Sequence, residues 1–532
     1  MRLFRHCFLT LAACLVFLPF DALANNASGN SSVTNKAQVK NKSLISKQAQ
    51  QTADFAVDQY TLAAKNALAE MIAFKTVARE DIAYQDNPEF TGFRQWLVKK
   101  ARVLGLNVSD QGHVLLVSVG SGKKALGLIT HGDVQPADPS KWQQSPFTLD
   151  DQSEPGKWLG RGTEDDKGPI AAALYAMKAL KEKQIPLTGK IELIIYMAEE
   201  SDWEPLQAFL KTYDPAPINI ALDSEYPVVI AEKAWGHIVT RFPQANPATE
   251  SHKPFIHHFK GGAFRSQIPE DAIVEVSGLS NAQLAGIRSR LDASKLTYTI
   301  TQLAATTVNA QTTQLISVKG KAAHSSKPEY GVNAISHLAN ALARIPWQPS
   351  SAANAVRFLN DQVGIGIHAR KFGDIAYAHD FMGPMTLSPT MVYQNDDQIT
   401  ELFINLRRPL GKSSDTLKQQ ISDAYQQWQQ NSHLKAEIKE IYIGEPLMVQ
   451  NAPHVPTLLN VFDHFTDISN PKPIAIGGST NAKLFPNAVS FGPSMPNTEY
   501  TGHSEHEFIT EQQFRLTLAM YTAMMVDIAG NK

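Results

Sequence analysis

Between residues 113 and 223, short and almost uninterrupted apolar segments alternate with helical patterns. Strands that alternate with helices are typical of a mostly parallel sheet whose faces are covered by helices. We therefore predict an α/β fold built on a mixed, mostly parallel sheet. The predicted strands are 113–120, 124–130, 190–198 and 218–223, and the predicted helices are 53–79, 93–106 and 169–183.

A second group of strand and helix patterns lies further along the chain and indicates a separate α+β unit. Beyond it, the sequence returns to a helix, a glycine-rich loop and a closing helix. We expect one domain formed by residues 53–234 and 445–532, with a second domain, 235–444, inserted into it. The strands predicted for the inserted domain are 313–320, 401–409 and 434–443, and its helices are 332–344 and 414–430.

The first 24 residues have the layout of a secretory signal peptide. Two arginines precede an apolar run that is too short for a transmembrane helix, and Ala22-Leu23-Ala24 is a cleavage pattern. We expect a periplasmic or secreted protein whose mature chain has no membrane span. The alternative, a lipoprotein anchor at Cys14, is disfavoured because apolar residues continue beyond that cysteine. The polar segment 25–52 is predicted to be a flexible linker.

Composition excludes several classes of protein. The 532 residues are 43% hydrophobic and 19% charged, which excludes a disordered or fibrous chain. A formal net charge of −2 gives no support for nucleic-acid binding. Cys7 and Cys14 are the only cysteines, and both lie in the predicted signal peptide. Any metal ion in the body of the protein must therefore be bound by His, Asp and Glu.

Acidic and histidine side chains stand where the predicted strands end or in the turns that follow. Open parallel sheets bind ligands outside the carboxyl ends of their strands, so these side chains can converge in one crevice. Several carboxylates at the ends of buried strands are costly unless a cation lies between them. The pattern therefore indicates a metal site. Its members are His131, Asp133, Asp165, Asp166, Glu199, Glu200 and Asp223.

The motifs around these residues resemble the di-zinc metallopeptidase family of aminoacylases, glutamate carboxypeptidases, succinyl-diaminopimelate desuccinylases and carnosinase-type dipeptidases. The resemblance is strongest to the bacterial carnosinase-like dipeptidases, and it implies an inserted lid domain. The motifs are THGDVQPAD, GRGTEDDKGP, MAEESDW, ALDSEYP, GKAAHSSKPEYG, FINLRRPLG, AIGGSTNAK and GHSEHEF.

The resemblance implies a two-metal site with ligands of oxygen and nitrogen only. His131 and Asp223 would bind one metal, Glu200 and His503 the other, and Asp165 would bridge the two. Such a set suits two Zn²⁺ ions per chain and is compatible with Co²⁺ or Mn²⁺. His506 is the alternative to His503. Asp166 is expected only to cap the helix that follows it.

The resemblance also assigns the catalytic groups. Glu199 would be the general base: it would take a proton from a zinc-bound water and return it to the leaving amine. Asp133 would accept a hydrogen bond from His131 and so fix the tautomer of that imidazole.

On the substrate side, His324 would polarise the scissile carbonyl, and Arg407 would bind the substrate's carboxylate with the loop that contains Gly478, Ser479 and Thr480. Arg408 should point the other way by strand alternation. Ser266 stands where the family usually has Asn, a departure that bears on the oxyanion site and on the substrate preference but not on the metal chemistry.

We therefore expect an exported metal-dependent dipeptidase that hydrolyses dipeptides or similarly short amides, as a monomer or a homodimer. An N-acyl-amino-acid deacylase is the alternative with the same chemistry and a different substrate. A catalytically inactive peptide-binding protein is a third reading, and it predicts no metal-dependent turnover.

Overall fold

The computed structural model describes residues 45–244, 253–303, 312–395, 397–498 and 500–531. All of them belong to one compact unit, Ser43–Lys532. The predicted signal peptide, with both cysteines and the lipoprotein alternative, lies outside the described residues. Within the described ranges, no helix is both long and apolar enough to cross a membrane.

A nine-stranded sheet carries the first domain, and the central strands run parallel while those at the edges pair antiparallel. This confirms the predicted α/β class and mixed, mostly parallel sheet. In spatial order the strands are Asn107–Asp110, Val114–Val119, Lys190–Tyr196, Lys124–His131, Asn219–Ala221, Ala488–Ser490, Val229–Glu232 and Leu447–Met448, and Ile474–Ile476 also pairs with Val229–Glu232.

Side-chain alternation along the strands divides this domain into two cores. Leu193 and Ile195 belong to a large core under the main helices, whereas Ile194 and Tyr196 belong to a smaller core with Leu206. Successive strand residues point to opposite faces, so an unbroken apolar strand is buried on both sides. The helices of this domain are Lys47–Ile72, Pro88–Val103, Lys167–Glu182, Glu204–Leu210, Val455–Phe465 and Glu511–Ala529.

The first helix begins within the segment that the sequence predicts to be a linker. Ser46 caps it by accepting a hydrogen bond from the N–H of Ala49, and the buried residues Ala49, Ala53 and Ala56 face the core. Alanine has the highest helix propensity and packs closely, which explains a helix in a stretch of low hydropathy. The predicted linker 25–52 is therefore too long at its carboxyl end, and the helix also ends earlier than predicted, at Ile72.

An eight-stranded antiparallel sheet with its own core forms between residues 234 and 443. Its strands, in spatial order, are Thr297–Leu303, Thr313–Lys319, Asp271–Ser277, Phe255–Gly261, Thr386–Gln394, Thr400–Arg408, Ala234–Phe242 and Glu437–Ile443. Its helices are Asn281–Ala293, Ala334–Leu342, Ser351–Phe358 and Ser414–Ser432, with a π-helical turn at Leu359–Val363.

Four short strand pairs connect the loops. They are Gln267–Ile268 with Ala323–His324, Ala378–His379 with Gly383–Pro384, Ser224–Glu225 with Pro493–Ser494, and Lys157–Leu159 with Phe508–Thr510.

Candidate metal centre and active site

Three parallel strands of the nine-stranded sheet end at one edge and deliver acidic and histidine side chains there. His131 is the last residue of its strand, Glu199 and Glu200 follow the next strand in the sheet, and Asp223 follows Asn219–Ala221. Asp165 comes from the loop that precedes helix Lys167–Glu182. The crevice expected from the strand ends therefore exists.

The side chains form two groups that share Asp165. One group is His131, Asp165 and Asp223, and the other is Asp165, Glu200 and His503; in each, the candidate ligand atoms lie within 4.8 Å of one another. His131 Nε2 lies 2.9 Å from Asp165 Oδ1, and His503 Nε2 lies 3.0 Å from Asp165 Oδ2. The two carboxylate oxygens of Asp165 thus face different groups.

The electrostatics of the groups favour a bound cation. Burial and the neighbouring Asp165 raise the pKa of Asp223 to about 7. Burial alone would lower the pKa of His503, but the nearby carboxylates of Glu200 and Asp165 have the larger effect, so its pKa lies well above the usual value. A divalent cation between the groups would compensate these carboxylates in the way that the raised pKa values of Asp223 and His503 call for. The donor set of carboxylate and imidazole fits Zn²⁺, Co²⁺ or Mn²⁺.

Asp133 positions the two glutamates through their main chain. Its Oδ1 accepts a hydrogen bond from the N–H of Glu199 at 3.0 Å, and its Oδ2 accepts one from Glu200 at 2.9 Å. His131 Nδ1 lies 3.0 Å from the main-chain oxygen of Asp133 and 3.5 Å from its carboxylate. The short contact that orients His131 is therefore with the carbonyl rather than with the expected carboxylate.

Glu199 and Glu200 take different positions although they are neighbours. Glu200 Oε1 lies 2.8 Å from His503 Nε2, and its Oε2 accepts from Gln135 at 2.9 Å. The side chain of Glu199 lines the same cleft but belongs to neither ligand group. Burial, and then the neighbouring Asp223, raise its pKa well above the usual value.

Asp166 differs from its expected role. It stands at the N-cap position of helix Lys167–Glu182, but its side chain makes no capping hydrogen bond. Its carboxylate instead accepts hydrogen bonds from the hydroxyl of Thr130 and, at 3.2 Å, from the N–H of His131. Asp166 therefore supports the end of the strand that delivers His131.

The cleft above the two groups has a volume of about 690 Å³ and is also lined by the inserted domain. His324 projects into it from this same chain, and its ring centroid lies 4.9 Å from that of His503. Ser326 Oγ, 2.6 Å from His324 Nδ1, holds the ring in place.

Arg407 lines the cleft as a largely buried cation. Its guanidinium donates to Asn405 Oδ1 at 3.2 Å and to Ser325 Oγ at 2.9 Å, and both acceptors are neutral. Burial lowers its pKa to about 9. A carboxylate entering the cleft would supply a countercharge that neither of these acceptors provides. Arg408 follows Arg407 in the strand and so lies on the opposite face, as alternation predicts; it is not part of the cleft lining, and it pairs with Glu445.

The loop predicted to bind substrate lies against the inserted domain. A Cβ atom at Gly477 would stand 2.1 Å from the carbonyl oxygen of Ser326, so only glycine permits this approach. Gly478 and Ser479 line the cleft. Thr480 also lines it, but its N–H and hydroxyl donate to Glu232 at 2.9 and 2.7 Å. Thr480 thus shapes the loop.

The structure brings all the predicted site residues to this cleft, with His131 and Asp133 directly behind its lining. His506 lies elsewhere and contacts Glu154, so the alternative to His503 is not supported. Ser266 lines the cleft, and its carbonyl accepts from Ser325 N–H at 2.8 Å.

Sequence reasoning missed two residues that support Asp165. Tyr500 donates its hydroxyl to Asp165 Oδ2 at 2.7 Å. Glu507 accepts hydrogen bonds from the main-chain N–H groups of Gly162, Glu164 and Asp165. For Glu507, the sequence offered one indication of a role at the site: it is a charged residue four positions after His503 in the motif GHSEHEF.

Comparison with known proteins agrees with this geometry. Residues 127–527 match the family model described as "Peptidase family M20/M25/M40". The Beta-Ala-Xaa dipeptidase of Lactobacillus delbrueckii subsp. lactis is 29% identical over 422 residues, which cover 78% of this chain and 84% of that protein.

Two solved structures share the fold. Human carnosine dipeptidase 1 superposes with a TM-score of 0.53 at 14% identity, covering 90% of this chain and 99% of that one. The di-peptidase Dug1p of Saccharomyces cerevisiae superposes with a TM-score of 0.55 at 13% identity, covering 90% of this chain and 98% of that one. Since the family model spans most of the chain and the site has the acidic and histidine groups of a metal centre, this protein belongs to peptidase family M20/M25/M40, the metal-dependent hydrolases that its motifs resemble.

Proposed function

We propose that this protein is a dipeptidase that hydrolyses the single peptide bond of a dipeptide with two Zn²⁺ ions, for which Co²⁺ or Mn²⁺ can substitute. The observation that carries the proposal is that a buried cation and two groups of candidate metal ligands line the same cleft. A buried Arg407 with neutral partners shares one cleft of about 690 Å³ with the two ligand groups. A short substrate can therefore present its carboxylate to Arg407 and its amide to the metal centre.

Bound divalent ions supply Lewis-acid activation of water and of the peptide carbonyl. His131 and Asp223 would hold one ion, Glu200 and His503 the other, and Asp165 would hold both. Glu199 takes the proton of the attacking water and delivers it to the leaving amine.

His324 donates a hydrogen bond to the carbonyl oxygen as negative charge develops there. Because His324 reaches the cleft of its own chain, a monomer contains every proposed group.

An N-acyl-amino-acid deacylase is the second candidate, because an acylated amino acid would present the same carboxylate to Arg407. The experiment compares alanyl-alanine with N-acetyl-alanine and N-succinyl-alanine, each with and without a chelator. We expect metal-dependent hydrolysis of the dipeptide at a kcat/KM at least about tenfold higher, a difference of ~1.4 kcal/mol in transition-state stabilisation. Faster turnover of the acylated substrates would replace the proposal by the deacylase. Absence of turnover on all three would favour a peptide-binding protein.

We also propose that the protein is exported, with cleavage after Ala24. Intact mass and amino-terminal sequencing of protein recovered from the periplasm or medium test this. A mature chain that begins at Asn25 is expected, and a lipid-modified chain that begins at Cys14 would show the lipoprotein alternative to be right.

A further inference from the structure

One face of the eight-stranded sheet carries a row of aromatic rings, which we name the aromatic row: Trp235, His237, Phe403 and Tyr442. Trp235 lies 4.8 Å from His237 and 5.2 Å from Tyr442 between ring centroids, and His237 stacks on Phe403 at 4.9 Å. The other face of the same strands carries Ile238, Ile404 and other members of the core. None of the four rings belongs to a hydrophobic core found among the described residues.

The aromatic row ends in the cleft beside Arg407. Trp235 and Arg407 are directly paired across neighbouring antiparallel strands, so their side chains leave the sheet on the same face, with Cβ atoms about 5 Å apart. Trp235 and Tyr442 both line the cleft, and Tyr442 is 47% exposed. Trp235 is half-buried and Tyr442 is exposed, and aromatic side chains left partly in water beside a buried cation are suited to contact a ligand.

We propose that Trp235 and Tyr442 form the subsite for the side chain of the substrate's carboxyl-terminal residue and select aromatic side chains there. The inference rests on the proposed function, in which Arg407 binds the α-carboxylate. In an amino acid the side chain leaves the same carbon atom that carries the α-carboxylate. If Arg407 binds the carboxylate, the side chain of the carboxyl-terminal residue therefore lies next to Trp235, the neighbour of Arg407 in the sheet. Ring-on-ring contact adds to the burial of apolar area, so an aromatic ring gains more than an aliphatic group of the same size.

The test measures kcat/KM for a panel with a constant amino-terminal alanine: alanyl-phenylalanine, alanyl-cyclohexylalanine, alanyl-leucine and alanyl-glycine. The wild type should prefer alanyl-phenylalanine about fivefold over the cyclohexyl and leucyl substrates. Phenylalanyl-alanine, the reversed dipeptide, should show no such preference over leucyl-alanine, because its ring belongs to the other residue.

Two variants locate the subsite. Trp235→Leu and Tyr442→Ala should each lower kcat/KM for alanyl-phenylalanine, chiefly through KM, by about five- to tenfold more than they lower it for alanyl-glycine. Tyr330→Ala, which removes an exposed aromatic side chain of the same domain outside the cleft, is the control and should change neither.

Equal losses on alanyl-phenylalanine and alanyl-glycine, a preference confined to the reversed dipeptide, or equal rates for the phenyl and cyclohexyl substrates would each overturn the inference. In those cases alanyl-glycine is still hydrolysed, so the proposed function stands. If no dipeptide of the panel is hydrolysed, the proposed function fails and this inference fails with it.

Discussion

Arg161 donates a 2.8 Å hydrogen bond to Glu507, and both side chains are almost completely buried. The other carboxylate oxygen of Glu507 accepts three main-chain N–H groups from the loop that ends at Asp165. Glu507 lies four positions after His503. One carboxylate thus ties the loop of Asp165 to the segment of His503, the two elements that must keep a fixed distance for the second ligand group to exist.

We predict that Glu507→Gln destabilises the protein by ~3 kcal/mol, because it leaves the charge of Arg161 buried without its partner. The same change should weaken metal retention, because the single carbonyl oxygen of glutamine cannot accept hydrogen bonds from both Arg161 and the main chain of the Asp165 loop. Chemical denaturation and elemental analysis after dialysis measure the two effects. Glu437→Gln, at an exposed position on a strand of the inserted domain, is the control. Unchanged stability and metal content in Glu507→Gln would contradict the prediction.

Removal of metal should abolish activity and lower thermal stability together. The reason is that a buried Asp165 and the half-buried Asp223 and Glu200 converge, so their negative charges need compensation. We expect a chelator to eliminate turnover and to lower Tm. Addition of Zn²⁺, Co²⁺ or Mn²⁺ should restore both, and elemental analysis should find about two ions per chain. Full activity of metal-free protein would refute the metal centre, and a reproducible value of one ion would remove Asp165 from its bridging position.

Much of this arrangement follows from local sequence patterns. An apolar segment such as 190–198 predicts a buried strand. The end of that segment predicts that Glu199 and Glu200 lie at the edge of the sheet. Ligands at the ends of neighbouring parallel strands must meet, so His131 and Asp223 are predictable from periodicity with the family motifs.

Other contacts have no local signal. Tyr500 and Asp165 are 335 positions apart, and Asp165 and Glu507 are 342 apart. Periodicity is silent on which distant segments pack together. The hydrogen bonds of Thr480 to Glu232 and of Asp166 to Thr130 were not predicted for the same reason. Both bonds give Thr480 and Asp166 a structural role that their sequence motifs do not indicate.

A buried histidine outside the cleft should make the fold sensitive to acid. His454 is 3% exposed, and neither ring nitrogen has a hydrogen-bond partner among the described residues. Burial lowers its pKa from 6.5 to about 4. Between these pH values the unfolded chain binds a proton that the folded chain does not. The free energy of unfolding is therefore unaffected by protonation of His454 above pH 6.5 and decreases as the pH falls towards 4.

We therefore expect His454→Leu to reduce the loss of unfolding free energy between pH 6.5 and 4 by about 3 kcal/mol relative to the wild type. Urea denaturation across this range measures it. His433→Leu, at an exposed helix end, is the matched control and should leave the pH dependence as it is. Parallel pH profiles of the wild type and His454→Leu would show that other groups cause the acid sensitivity.

Glu199 and Glu200 should fail differently when each is replaced by glutamine. Glu200 lies 2.8 Å from His503 and belongs to a ligand group, whereas Glu199 lines the cleft outside both groups. Glu199→Gln should keep both metal ions and near-normal KM but lower kcat by ~10² to 10⁴-fold, the usual contribution of a general base. Glu200→Gln should lose occupancy of one ion and regain part of its activity with excess metal.

The two variants control for each other, because both replace a carboxylate by an amide of the same shape at adjacent positions whose main-chain N–H groups are held by one residue, Asp133. Metal content per chain, measured beside kcat and KM, separates the two roles. Wild-type turnover in Glu199→Gln, or loss of metal from it as in Glu200→Gln, would reverse the assignment. Small effects from both changes would mean that the pair is only an acidic lining of the cleft, and the proton would then have to be moved by another group near the attacking water.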